Sequence, residues 1–281
     1  MKPLRSVLFM PASNARAVEK ARTLACDAVV LDLEDAVAPA AKDDARGRAV
    51  AAVQEGGFGQ RMVAVRVNGL DTAWAAADFA SLAGTPVDAV VLPKVVAATD
   101  LERARAAIGD GPALWAMIET AAGVLGLPAI VAAAGATRLG ALIAGTNDLA
   151  RDLRCRPDDE RTPLIPALAQ IVVAARAGGL MALDGVLNAL DDADRLDREC
   201  RQGAMLGFDG KTLIHPAQID AANRAFGPDQ AAIARARRIV AGFASDEAAD
   251  QGAIRLDGEM VERLHLAAAE QVLRMTSKPS P

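Results

Sequence analysis

The chain is 281 residues long and sets 31 Lys and Arg against 36 Asp and Glu, a formal net charge of −5. That balance argues against nucleic acid or an anionic membrane as the main partner. A composition that is 52% hydrophobic and 24% charged belongs to a globular chain rather than a disordered one. Cys26, Cys155 and Cys200 are odd in number and widely spaced, with no CxxC, which predicts free thiols in a reducing compartment. The opening MKPLRSVLFMPASN has too short an apolar run for a secretory signal. AAGVLGLPAIVAAAGA is too short, and too broken by Gly and Pro, to span a bilayer. A cytoplasmic location is the expectation.

Short apolar runs recur along the chain, separated by Ala-, Arg- and Leu-rich stretches of helical period. SVLFMP (6–11) leads into the helix ARAVEKARTLA, and AVVLDLED (28–35) is the second run. MVAVRVN (62–68), AVVLPKV (89–95), ALWAMIET (113–120) and RLGALIAG (138–145) follow. PLIPALAQIVVAARAGG is a helix stopped by a Gly pair, and LMALDGV (180–186) and AMLGFDGK (204–211) are the last two runs. Eight such units predict an α/β fold, a (β/α)8 TIM barrel closed by right-handed crossovers. The rival is an open doubly wound sheet, but no Gly-rich phosphate fingerprint follows the first strand and there is no P-loop.

The barrel is expected to occupy residues 1–248, with GPDQAAIARARRIVAGFASDEA as its last helix. Residues 249–281 are then an appended helical segment. A turn, ADQGAIRLDG, precedes a second helix, EMVERLHLAAAEQVLRM. The segment serves either as a cap on the barrel or as a lid over its active site.

In such a barrel the C-terminal ends of the strands face the active site, and polar residues cluster at those ends. Asp32, Glu34 and Asp35 close the second run, Arg66 and Asn68 the third, Lys94 the fourth and Glu119 the fifth. Asn147 and Asp148 follow the sixth, Asp184 ends the seventh, and the eighth leads through Lys211 to His215. Any one of these could be a buried ion pair. Their shared position at one end points to a site.

Glu119 and Asp148, on adjacent strand ends next to the small segments TAAG and GTN, look like metal ligands. Two carboxylates without a Cys or His pair suit a hard, oxygen-loving ion, Mg2+ or Mn2+, whose shell is completed by water and substrate. His215 and His265 have no companion spacing for zinc. Arg66 is a natural fork for a substrate carboxylate. Lys94 is expected to pair with an acid at the barrel mouth, Asp184 and Lys211 to stand behind the site, and His215 to be a hydrogen-bonded corner residue. Trp115 and Met117 are core by alternation.

Taken together and in order, SVLFMPASN, DAVVLDLEDAV with Lys42 and Arg46, VRVN, VVLPKV, MIETAAGV, GTNDLA, ALDGV, GFDGKTLIHPAQI and DGEMVERLHL resemble the citrate lyase beta-subunit-like branch of the HpcH/HpaI aldolase superfamily. The resemblance covers nearly the whole chain. It implies a Mg2+-dependent carbon–carbon lyase acting beside a thioester carbonyl, on malyl-, citramalyl- or citryl-type coenzyme A substrates. It further implies Glu119 and Asp148 as metal ligands, Arg66 on the carboxylate of the 2-oxo acid fragment, and Phe9 and Lys20 along the coenzyme A arm. Glu34 and Asp35 would hold the metal's waters. Relatives carry an Asp where Glu262 stands, on a segment that reaches over a neighbouring subunit, which implies a homo-oligomer (trimer or hexamer).

Two readings of Glu262 stand side by side. It is the group that transfers the enolate proton, or it is a surface residue and another acid such as Asp257 substitutes. Ala12 also departs from the family pattern, which has Gly there. Two other functions fit the same motifs, a malyl-CoA thioesterase and a citrate lyase subunit that needs an acyl carrier protein partner.

Overall fold

Eight parallel strands pair in sequence order, and the first closes on the eighth. They are β1 (Ser6–Pro11), β2 (Ala28–Asp32), β3 (Met62–Arg66), β4 (Ala89–Leu92), β5 (Ala113–Ile118), β6 (Leu139–Ala144), β7 (Met181–Asp184) and β8 (Gly210–Leu213). Helices follow each strand, as the α/β barrel expectation requires. The computed structural model describes residues 4–244 and 251–276. Among these, no helix is long and apolar enough to cross a membrane.

Both faces of the barrel strands are buried, which is why they read as unbroken apolar runs. Period-2 alternation sends Leu8, Val29, Leu31, Val65 and Leu142 outward to the helices, and Phe9, Val30, Val91, Trp115 and Ile143 inward. Trp115 and Met117 are interior residues, as alternation predicted. The large indole is accommodated by small inward neighbours, Ala28, Ala64, Ala89 and Ala141. Closure sets its own sequence demand. A Cβ on Gly210 would lie 1.8 Å from the Leu4 carbonyl oxygen, so only glycine lets β8 approach β1.

The eighth run was expected over 204–211, but the strand begins only at Gly210. Ala204, Met205 and Leu206 are instead the last turn of the helix Ala193–Leu206, which buries Leu196, Cys200 and Gly203 at helical spacing. Gly207, at φ 97°, ends that helix in the left-handed conformation. Short apolar runs carry no periodicity long enough to separate the two cases. Cys26 and Cys200 are buried free thiols, and Cys155 is free and half-buried.

The chain divides into two compact units, Leu4–Phe226 and the described residues from Gly227 onward. This division falls earlier than the 248/249 boundary expected from the sequence. The helix Gln230–Phe243 turns Ala236, Ile239 and Phe243 into a small separate core with Val261 and Ala269. The segment expected to be a turn followed by one helix contains a hairpin, β9 (Ala253–Leu256) with β10 (Glu259–Glu262), and then the helix Arg263–Thr276. Asp257 and Gly258, at φ 53° and 86°, make its two-residue turn, the conformation that the Asp-Gly pair favours. Glu262 is therefore the exposed last residue of a strand, and its backbone N–H donates to His265 Nδ1 at 2.9 Å.

Candidate active site

The side chains that alternate inward along β2 end in Asp32 and continue to Glu34 in the loop. Register places Asp32 opposite Arg66 on β3. Arg66 Nε donates to Asp32 Oδ1 at 2.7 Å and Nη2 to Oδ2 at 2.6 Å. Asp32 also accepts the backbone N–H of Glu34 at 2.9 Å and of Ala36 at 3.2 Å, so one carboxylate shapes the loop and holds the arginine. The guanidinium sits 5.4 Å from the Phe9 ring centre, a cation–π contact at the cavity floor.

Arg66 was expected to present its fork to a substrate. The edge formed by Nε and Nη2 is taken by Asp32, and what remains is Nη1, 3.0 Å from Glu34 Oε2 and 3.8 Å from Asp35 Oδ2. Burial works against the guanidinium charge, but Asp32, Glu34 and Asp35 outweigh it and hold the pKa above its usual value. Arg66 is a permanent cation whose remaining corner, Nη1, is held between Glu34 and Asp35.

Glu119 follows β5 and is 2% exposed. Its Oε1 accepts the Lys94 backbone N–H at 2.6 Å. Burial, then the charge of Glu34 and that of Asp148, push its carboxyl up to about 7, against the pull of Lys94. Asp148 lies in the first turn of the helix Thr146–Asp152 and is paired with Arg151 at 3.0 Å. Gly145 makes room between them, since a Cβ there would come within 2.6 Å of Glu119 Oε2.

These features fit a hard divalent cation. Glu119 and Asp148, whose charges repel, line one cavity, whereas Glu34 is not among its lining residues and turns its buried Oε2 to Arg66 Nη1 at 3.0 Å. Among the described residues no group of three or more His, Cys, Asp or Glu is arranged to cage a metal. The donor set is thus that of an ion with a mostly water and substrate shell, as Mg2+ prefers.

The cavity, about 440 Å3, is lined by Phe9, Asp32, Asp35, Arg66, Glu119 and Asp148 together with small and apolar neighbours. Lys20 is exposed on the helix Ala15–Ala21 and is not among the lining residues. Lys94 pairs with Glu34 Oε1, as an acid at the mouth was expected to. Asp184 and Lys211 are fully buried with Arg161 and Glu199: Arg161 Nη1 lies 2.7 Å from Asp184, and Lys211 Nζ 3.2 Å from Asp184 and 3.1 Å from Glu199. His215 caps a short 3-10 turn, accepting the Ala217 N–H at 3.2 Å.

A second polar network joins Asn68, at the end of the third run, to Lys42 and Arg46 of the motif after the second run. Lys42 Nζ, buried, donates to the carbonyls of Leu33 and Glu34 at 2.7 Å each and to Asn68 Oδ1 at 2.6 Å. Asn68 donates in turn to Asp78, which also binds Arg46 Nε at 2.8 Å. This network fastens the loop that carries Glu34. Asp78 is the member that the sequence reading missed; its signal was an acid next to Phe79 on the core face of the helix Ala75–Leu82.

The family model described as HpcH/HpaI aldolase/citrate lyase matches residues 5–216. The chain is 46% identical over 271 residues to a (3S)-malyl-CoA thioesterase of Cereibacter sphaeroides, covering 96% of this chain and 94% of that protein. It is 33% identical over 277 residues to the citrate lyase subunit beta of Escherichia coli K12, covering 96% and 92%. Protein CitE from Mycobacterium tuberculosis, solved with magnesium, acetoacetate and coenzyme A, superposes with a TM-score of 0.77 at 32% identity, covering 99% of this chain and 98% of that one.

Proposed function

Because the chain belongs to the HpcH/HpaI aldolase/citrate lyase family, we propose that it is a divalent-metal enzyme acting on a malyl-type coenzyme A thioester, and that it hydrolyses the thioester bond. Support for the substrate class comes from one cavity lined by the carboxylate pair Glu119 and Asp148 and by the cation Arg66. A hydroxy-acid thioester has a hydroxyl and carboxylate to chelate and a negative charge to be matched. Support for hydrolysis comes from 46% identity to a thioesterase, against 33% to a citrate lyase subunit.

Glu119 and Asp148 would hold Mg2+ or Mn2+, which when bound polarises the oxygens it touches. Arg66 Nη1 pairs with the acid's free carboxylate, and its clamp on Asp32 keeps it from following the substrate. Glu34 Oε2, buried 3.0 Å from Arg66 Nη1, would accept a hydrogen bond from water or from the substrate hydroxyl once that nitrogen turns to the substrate. Burial raises the pKa of Glu34 against the influence of Arg66 and Lys94, which favours a group that can take up a proton. In hydrolysis the water oxygen joins the thioester carbon, the carbon–sulfur bond breaks, and the thiol leaves protonated beside free malate.

Carbon–carbon cleavage is the second reading, favoured by the family match and by the CitE complex that contains both acetoacetate and coenzyme A. It would yield acetyl-CoA and glyoxylate, and would require the proton donor assigned to Glu262 or Asp257. Product analysis separates the two. Malyl-CoA and Mg2+ should give malate and free thiol in equal amounts. Glyoxylate with acetyl-CoA, and no thiol, would establish the lyase instead.

A further inference from the structure

Lys94 follows β4 with φ 54°, in the left-handed region that a residue with a long side chain rarely adopts. The surroundings enforce that conformation. Pro93 precedes it, Val95 N–H donates to the Met117 carbonyl at 3.2 Å, and Asp100 accepts the N–H groups of Val96 and Ala97 at 2.9 and 3.1 Å. The loop is also wedged against the helix Ala121–Ala132. Cβ atoms on Gly123 and Gly126 would lie 2.6 Å from the Val95 carbonyl oxygen and 2.2 Å from that of Val96, so those glycines are what permit the approach.

The strained residue has two ends, and each reaches a different acid. Its backbone N–H binds Glu119 Oε1 at 2.6 Å, and its ammonium binds Glu34 Oε1. The second oxygens are Glu119 Oε2, beside Gly145, and the buried Glu34 Oε2, which lies 3.0 Å from Arg66 Nη1. We propose that Lys94 is a two-ended positioning residue: its left-handed backbone holds Glu119 so that only Oε2 is offered to a divalent cation, while its ammonium takes Glu34 Oε1 and turns Oε2 toward Arg66 Nη1, the corner that would meet the substrate.

This rests on the divalent-metal reading of the site and adds the division of labour within it. The two ends are separable by substitution. Lys94→Met keeps the backbone requirement of the wild type and removes the ammonium. Lys94→Gly removes the ammonium and relaxes the backbone. Lys94→Val removes the ammonium and adds a β-branch that the left-handed region tolerates poorly. Taking a cation away from an anionic site cannot by itself weaken its hold on another cation. Any weakening in the valine variant alone therefore reports the backbone.

Mn2+ binding, followed by electron paramagnetic resonance of the free ion, gives a readout independent of turnover. Lys94→Met and Lys94→Gly should bind Mn2+ at least as tightly as wild type, and Lys94→Val about tenfold or more weakly, the usual effect of disturbing a group that orients a metal ligand. Turnover of malyl-CoA at saturating Mn2+ should fall in the methionine and glycine variants and be partly rescued by Lys94→Arg. Equal weakening in the methionine and valine variants, or none in either, would overturn the proposal. Should the valine variant fail to fold, the methionine and glycine pair still decides, because loss of Mn2+ affinity in either contradicts it. Absence of Mn2+ binding by the wild type would instead bring down the metal reading of the site, and this inference with it.

Discussion

Asp32 and Arg66 face each other across β2 and β3 in register and share two parallel hydrogen bonds of 2.7 and 2.6 Å. The pair is buried, so the arginine's position is set before any substrate arrives.

Arg66 therefore has both a structural and a binding duty, and a substitution should expose both. Arg66→Lys keeps the charge but cannot span both oxygens of Asp32. Its kcat/KM should drop by about 2 to 4 kcal/mol of transition-state stabilisation. Its melting temperature should also fall, because the buried Asp32 is left half-satisfied. A normal melting curve with normal kinetics would show that the pairing matters for neither.

Glu119 and Asp148 should account for metal binding. Glu119→Gln and Asp148→Asn should each abolish Mn2+ binding with the barrel intact by circular dichroism, and EDTA should inhibit reversibly. Gly145→Ala is the sharper test. Its new methyl would sit 2.4 Å from Glu119 Cβ, so it should displace the ligand and weaken Mn2+ binding without touching a charged residue. Unchanged affinity in Gly145→Ala would mean that Glu119 is not held where the metal needs it.

Acid should reveal the Asp184 cluster. Burial opposes its charge, but Lys211 and Arg161 prevail and hold its carboxyl below the usual range. The sign follows from linkage. The stabilisation is fully present above the unfolded-state value of about 4 and is lost as pH falls through the lower folded value. Asp184→Asn should cost about 3 to 5 kcal/mol at neutral pH by leaving Arg161 without its carboxylate and Lys211 with Glu199 alone, and should flatten the stability curve at its acid end. Urea melts between neutral pH and pH 3 measure both.

Glu262 discriminates between the reactions. Thioester hydrolysis needs no proton at carbon, so Glu262→Gln and Asp257→Asn should each hydrolyse malyl-CoA within about twofold of wild type. If either loses a factor of about 100 or more, the size of a missing general acid, proton transfer belongs to that residue and the lyase reading gains.

Much of the barrel was legible beforehand, because the alternation along 28–32 or 62–66 is a local property of each strand. The same alternation put Asp32, Arg66 and Glu119 at the inner, C-terminal end, where they line the cavity, and Glu34 behind them against Arg66. The eighth strand was misplaced because Ala204–Met205–Leu206 is apolar whichever element it joins, and the decision lay with Gly207 and with closure at Gly210. The C-terminal hairpin had its signal in Asp257-Gly258, which a helix-period reading of the following residues obscured.

The sequence by itself determined which strand-end residues face inward, since side-chain direction follows from position along a strand. Only the tertiary structure decided which of their atoms remain free. Asp32 takes two of Arg66's nitrogens because β2 and β3 pair in that register, and Lys94 takes one oxygen from each of two glutamates because glycines in a following helix hold its backbone left-handed. Side-chain direction is a property of neighbours in the chain, whereas occupancy of a hydrogen-bonding atom is settled between strands brought together by barrel closure.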